Sequence, residues 1–253
     1  GSCPSIEEFE SVSNFRGTID DLKLYDIALS AFEFEQIIDD QAFVRAKESL
    51  SKKEDHLLGY WKFNRAGKDS SPHANDAILL GGNFIDDRNG NEESALFLNG
   101  EHQSLLIEHS DNLNPVDQLS VSAWLKIDQF SNIWSPILQK GLPFESAGKN
   151  REYALWANSA GHLALLSAGN GQKQAAHKIN ISTGEWFHYG ASLNRKDKKA
   201  SLYINGQLVH TQSDPYTNFN NGKGNLTIGS CPSIEEFESV SNFRGTIDDL
   251  KLY

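Results

Sequence analysis

The sequence predicts an all-β protein, an antiparallel jelly-roll sandwich with a helical connector. Three observations carry this. From His56 onward, short runs rich in β-branched and aromatic residues alternate with clusters of Gly, Asn, Asp and Pro. Asn205-Gly206, between Tyr203-Ile204 and Gln207-Leu208, has the composition of a two-residue hairpin turn in which both residues take positive φ. Finally, residues 1–25, GSCPSIEEFESVSNFRGTIDDLKLY, return unchanged as residues 229–253. Independent drift does not leave 25 positions identical. The chain therefore reads as one period of 228 residues plus an overlap, cut from an array of near-identical repeats, or as a chain with one terminal segment written twice.

In order, residues 1–25 read as the closing strand of a preceding repeat. Residues 26–55, DIALSAFEFEQIIDDQAFVRAKESLSKKED, differ in kind. Leu29, Phe32, Gln36, Ile37 and Asp40 sample a helical period, and Ser30 with Glu33 three residues later fits a capping box. This stretch reads as a helical connector, broken near Asp39-Asp40. Residues 56–253 read as the sandwich. Its strand runs are LLGYWKF (57–63), ALFL (95–98), SLLIE (104–108), LSVSAWLKI (119–127), PILQKG (136–141), YALWAN (153–158), HLALLSA (162–168), WFHYGASL (186–193), ASLYI (200–204), QLVHT (207–211), NLTIG (225–229) and FRGTIDDLKLY (243–253). In the fourth run Val121, Ala123 and Leu125 fall on one face, and Ser122, Trp124 and Lys126 on the other. Many short strands at this spacing make a sandwich or jelly roll.

Bulk properties narrow the partners. The chain has 23 basic and 34 acidic residues, net −11, which argues against nucleic acid and anionic membrane. It holds no apolar run long enough to span a bilayer and no signal peptide. The absence of methionine marks it as a window of a longer reading frame. Cys3 and Cys231 are one repeat position, so each period holds a single thiol, either buried and inert or bridging neighbouring units.

Several motifs in order resemble the laminin-G-like, concanavalin A-like jelly-roll family. GYWKFNRAGKDSSPHAND is similar to its opening strand and the loop after it, LSVSAWLKID to its central Trp strand, and PILQKG to the strand that follows. ISTGEWFHYGASLNRKDKKASLYINGQLV is similar to its G-x-W-x-H-x-A … L-Y-x-N-G hairpin, and FRGTIDDLKLYDIALSAFEF to its closing strand and short helix. The resemblance spans about His56 to Tyr253 and is completed only by reading across the repeat junction, as at 15–35. It implies the fold and an extracellular or cell-surface location. It does not fix a function, because this fold serves lectins, adhesins, signalling domains and enzyme appendages.

The resemblance also implies where a cation would sit, near the first loop and the closing strand. The donors there are Asp69, Asn75, Asp76 and Asp248, an oxygen set suited to Ca2+. In Asp248-Asp249, strand alternation sends one carboxylate inward and the other out. The alternative is that Asp69 and Asn75 are turn formers capping backbone amides. Sugar recognition in such sandwiches uses an exposed aromatic with polar loop residues, for which Trp134, Arg151, Tyr216 and Phe219 are the candidates, with Trp156 as a core alternative. Trp61, Trp124 and Trp186 match packing positions. Asn180-Ile-Ser and Asn225-Leu-Thr fit glycosylation sequons.

Catalysis is not expected. Glycosidases on this sandwich set carboxylates at alternate positions of one strand, about 5 Å apart for retaining hydrolysis. The nearest pattern, Glu8-Phe9-Glu10, reads as loop, and His188 between Phe187 and Tyr189 reads as structural. The sequence therefore points to a non-catalytic extracellular repeat, structural and adhesive, with neighbouring copies of the repeat and a glycan or cell-surface ligand as partners. The alternative is a calcium-assisted carbohydrate-binding module of a secreted enzyme or adhesin. Two copies exist for one closing-strand slot. The C-terminal copy is expected to fill its own domain, because it follows Ile228 at little closure cost. Residues 1–25 would then join a neighbour, through Gly17, Ile19, Leu22, Leu24 and Cys3.

Overall fold

The computed structural model describes residues 15–25, 28–29, 34, 56–130, 134–141, 151–158, 160–167, 175–180, 182–213, 222–230 and 242–253. Among them are sixteen strands and one short 3-10 turn: β1 (Phe15–Tyr25), β2 (Leu57–Trp61), β3 (Ala77–Leu80), β4 (Asn83–Ile85), β5 (Ala95–Asn99), β6 (Ser104–Ile107), the turn Asp111–Leu113, β7 (Gln118–Phe130), β8 (Ser135–Gly141), β9 (Arg151–Ala157), β10 (His162–Ser167), β11 (Ala175–Lys178), β12 (Trp186–Asn194), β13 (Lys199–Ile204), β14 (Gln207–Ser213), β15 (Leu226–Ile228) and β16 (Arg244–Leu252). They form two sheets. One runs β11-β10-β9-β8-β15-β6-β3; the other holds β14, β13, β12, β7, β1, β2, β16, β5 and β4.

Alternation along each strand builds the core between them. Val121, Ala123, Leu125 and Ile127 of β7 face Leu138, Leu155, Leu163 and Ile228 of the opposite sheet in one apolar cluster, all essentially inaccessible. Trp61 and Phe63 join it, which is why the aromatic run after His56 opens the domain. The β13–β14 hairpin turns at Asn205 (φ 48°) and Gly206 (φ 78°), as the Asn-Gly pair requires. Short strands β3, β4 and β11 were not legible. Ile78 and Leu80 stand 49% and 48% exposed, so no buried face imposes an alternating pattern there.

β16 lies on β7 with Gly245 opposite Ile127, Thr246 opposite Lys126, Ile247 opposite Leu125 and Asp248 opposite Trp124. β1 takes the same register, with Gly17, Thr18, Ile19 and Asp20 opposite those four residues. The shift that follows is also shared, between Asp248 and Lys251 in one copy and between Asp20 and Lys23 in the other. A strand has two edges, and β7 gives one of them to β12. Neighbouring strands sit about 4.8 Å apart, so the other edge holds one strand at a time. Both copies therefore match a single slot, where they also pair with each other in parallel, Gly17 with Gly245 and Asp20 with Asp248.

Candidate functional site

The slot is walled on one side by β7 and on the other by two short strands. β2 meets the second half of the closing strand, at Leu250 opposite Trp61, and β5 meets its start, at Arg244 opposite Asn99. Phe243, Ile247, Leu250 and Leu252 are all fully buried in the core. Ile247 and Leu250 are three apart, whereas an undisturbed strand repeats every two residues. Asp249 supplies the extra residue, with φ 47°.

That bulge corrects the expected alternation of the Asp pair. Neither carboxylate enters the core. Both turn to Arg88, whose Nη1 lies 3.1 Å from Asp248 Oδ2 and 3.5 Å from Asp249 Oδ2. Tyr60 donates its hydroxyl to Asp249 Oδ1 at 2.7 Å, and Lys251 Nζ lies 3.9 Å from the Tyr60 ring centroid. Arg88 also stacks on Trp124 at 4.7 Å, and Trp124 meets His188 edge-on at 5.4 Å. Burial pushes the Asp248 carboxyl well above its ordinary value, with Lys251 opposing, and the Arg88 cation at 3.1 Å opposes it further. Arg88 thus clasps the closing strand from the outer face. Sequence reasoning missed it, and its only signal was the turn DDRNG.

The other end of the strand carries a second fastening. Leu29 and Phe34, after the first copy, form an apolar cluster with Leu57, Tyr203 and Tyr253, and Tyr60 packs against it. Tyr203 donates its hydroxyl to the Leu29 carbonyl at 2.9 Å, and Ala28 N donates to Gln118 Oε1 at 2.8 Å. The Phe34 ring lies 3.9 Å from that of Tyr203 and over Gly190, where a Cβ would run into it. Phe34 has helical backbone, and most of the connector expected over 26–55 lies outside the described residues.

The expected calcium donors are placed, but their oxygens are committed. Asp69 Oδ1 accepts from Tyr60 N and Ser71 N, both at 2.8 Å, and Oδ2 accepts from Ser71 Oγ and Asn75 N, both at 2.7 Å. Asn75 donates its amide to the Leu58 carbonyl at 2.8 Å. Asp76 accepts from Asp69 N and pairs with Lys68 at 2.5 Å, which with the backbone bond holds its carboxyl below the ordinary value. Asp248 faces Arg88. A divalent cation needs free oxygens converging on one point. Among the described residues no group of three or more His, Cys, Asp or Glu could hold a metal, so this donor set does not fit Ca2+. The turn-forming alternative describes Asp69 and Asn75.

The sugar candidates do not converge either. Trp134 precedes β8 and is buried, while Arg151 begins β9. Ser135 pairs with Ala157 and Gly141 with Arg151, so the two lie at opposite ends of that strand pair, about 20 Å apart at strand rise. Tyr216, Phe219 and Cys3 lie outside the described residues, as do the side chains at Ile19, Leu22 and Leu24; Gly17 is seen only as backbone in β1. Arg151 instead lies over Trp156, 5.2 Å from its ring. Trp156 is buried, opposite Pro136 and Ala164, on the face of the seven-stranded sheet away from the core residues Leu155 and Ala157. On that face Gln139 is also fully buried, and among the described residues neither atom of its amide has a hydrogen-bond partner. At one edge Lys140 bonds the Gly224 carbonyl and His109 Nδ1, and Glu152 accepts from Gly222 N at 2.5 Å, pinning the segment that enters β15. Burial lowers Lys140 to about 8, with Glu152 and Asp111 opposing.

No curated protein matches the chain in sequence. Solved structures share its fold. The receptor binding domain of botulinum neurotoxin C/D mosaic serotype has 16% identity and a TM-score of 0.57, over 78% of this chain and 49% of that one. The botulinum neurotoxin serotype D ligand binding domain, in complex with N-acetylneuraminic acid, has 15% identity and a TM-score of 0.58, over 79% and 50%. Domain 4 of AbnA, an extracellular arabinanase from Geobacillus stearothermophilus in complex with arabinotriose, has 20% identity and a TM-score of 0.52, over 76% and 89%. The chain thus spans about half the length of the toxin domains it matches. Residues 99–253, which hold β7, the hairpin and the closing strand, match the family model of that sandwich, and the chain belongs to the concanavalin A-like lectin/glucanases superfamily.

Proposed function

We propose that the chain is a non-catalytic, extracellular linking module, joined head to tail to copies of itself through its closing segment. One observation carries this reading: both copies of the segment take the same register on β7, so either can complete a sandwich. A strand supplied from outside gains the main-chain bonds of two edges plus the core positions of Ile247, Leu250 and Leu252. A contact between a slot and a segment on the opposite end of the next unit is heterologous and does not close, which favours an open array. Co-refolding tests it. Chains carrying Lys126→Cys are mixed with chains carrying Thr246→Cys or, separately, Thr18→Cys, all with Cys3→Ser and Cys231→Ser. A disulfide between chains is expected; only unlinked chains, at every concentration, would refute it.

Adhesion is the second part of the reading. The glycans held by two solved structures of the same fold favour a glycan ligand; Trp156 and Gln139 are both fully buried and offer no face to one. The ligands of the two related structures, N-acetylneuraminic acid and arabinotriose, set the chemistry to try. Titration calorimetry with each on the intact chain tests it. Saturable heat with either supports the glycan reading, and no heat with either counts against it.

A further inference from the structure

The closing strand does not dock alone. We infer that the closing element has two parts, the strand and the Leu29–Phe34 segment after it, and that the second part gives the N-terminal copy precedence in the slot. The C-terminal copy is then the strand the chain offers to a second copy of itself. This rests on the linking function proposed above, and it reverses the direction that chain connectivity alone predicts.

Two opposing quantities decide precedence, because the strands are identical. Connectivity favours the C-terminal copy. It reaches the slot through 15 residues from the end of β15, against 31 between β1 and β2. A doubling of loop length is worth about threefold. The apolar segment favours the N-terminal copy. DIALSAFEF occurs once in the 253 residues, directly after Tyr25. It seats Phe34, fully buried, between Tyr203 and Gly190, and it seats Leu29, whose carbonyl takes the Tyr203 hydroxyl. Burying one Phe side chain is worth about 10- to 100-fold. The net preference is about 3- to 30-fold for the N-terminal copy from Phe34 alone.

The seat is specific as well as apolar. Gly190 lies in the middle of β12, where a side chain would occupy the space of the Phe34 ring. Its neighbour across the strand pair is Tyr203, the residue that grips both Phe34 and Leu29. One glycine thus keeps open a pocket that fits this segment and leaves the strand slot unaltered.

Competitive disulfide trapping tests this in the full chain. Lys126→Cys faces both Thr18→Cys and Thr246→Cys in one polypeptide, with Cys3 and Cys231 changed to Ser. Digestion after lysine separates the products, because the first copy is released as 1–23 and the second as 224–251. The expected result is capture of Cys at 18 over Cys at 246 by about 3- to 30-fold. Adding Phe34→Ala, or separately Gly190→Ala, should shift capture to about threefold in favour of 246; neither change touches a strand copy. Equal or C-terminal capture before those changes, or a ratio they do not move, overturns the inference while leaving the linking function intact. Capture of neither copy would overturn both.

Discussion

Two identical strands competing for one slot make single core substitutions behave unusually. Leu250 is fully buried, and Leu22 holds the same position in the first copy. Truncating a buried leucine in a domain with one closing strand costs about 2–5 kcal/mol. Here the chain can substitute the undamaged copy, so each single variant loses only the difference between occupants. Connectivity favours the C-terminal copy by about 0.6 kcal/mol. Burial of Phe34 opposes that by about 1.5–3 kcal/mol. Leu22→Ala should therefore cost about 1–2 kcal/mol, Leu250→Ala less than about 0.5 kcal/mol, and the double variant the full 2–5 kcal/mol. Urea unfolding followed by tryptophan fluorescence measures this, since Trp61 and Trp124 border the slot. A double variant equal to the sum of two singles would refute interchange. So would the full cost appearing in Leu250→Ala alone.

Four further outcomes follow. Arg88→Ala should cost about 3 kcal/mol at pH 7 by leaving Asp248 buried without its cation. A carboxyl whose folded pKa is raised loses stability as pH climbs past its unfolded value, so this cost should shrink towards pH 4, as read by thermal unfolding across pH. Lys140 has the opposite sense. Its folded value near 8 lies below 10.5, so stability should rise between those pH values, and Lys140→Met should abolish the rise in urea titrations. EGTA should leave the melting temperature unchanged, whereas Asp69→Ala should lower stability by about 2–4 kcal/mol through four lost hydrogen bonds. Gln139→Met should be neutral or stabilising in the same assay, because it removes an unsatisfied amide.

The sandwich was legible because its pattern is set locally. β7 alternates Val121, Ala123 and Leu125 inward because one of its faces meets the core, and Asn205-Gly206 turns a hairpin by steric necessity. The repeat was legible as text, and from it the competition for one slot. The bulge was not, since nothing in TIDDLKLY announces that Asp249 is the extra residue; only the burial of both Ile247 and Leu250 does. The site residues fared worst. Asp69 reads as a cation ligand when its acceptors are unassigned, yet three of its four donors, Ser71 N, Ser71 Oγ and Asn75 N, lie in its own loop, so the residue types fit a cation site and a turn equally well. Arg88 lies 160 residues from Asp248, a separation that no local pattern spans.

The measurement that tests the shared slot most directly is amide hydrogen exchange read by mass spectrometry on the monomeric chain. Pepsin releases GTIDDLKL from both 17–24 and 245–252, and the two peptides are the same molecule. One slot with two occupants predicts two mass envelopes of equal intensity, one protected by strands on both edges and one exchanged. A single envelope from the monomer, whether protected or exchanged, would contradict it.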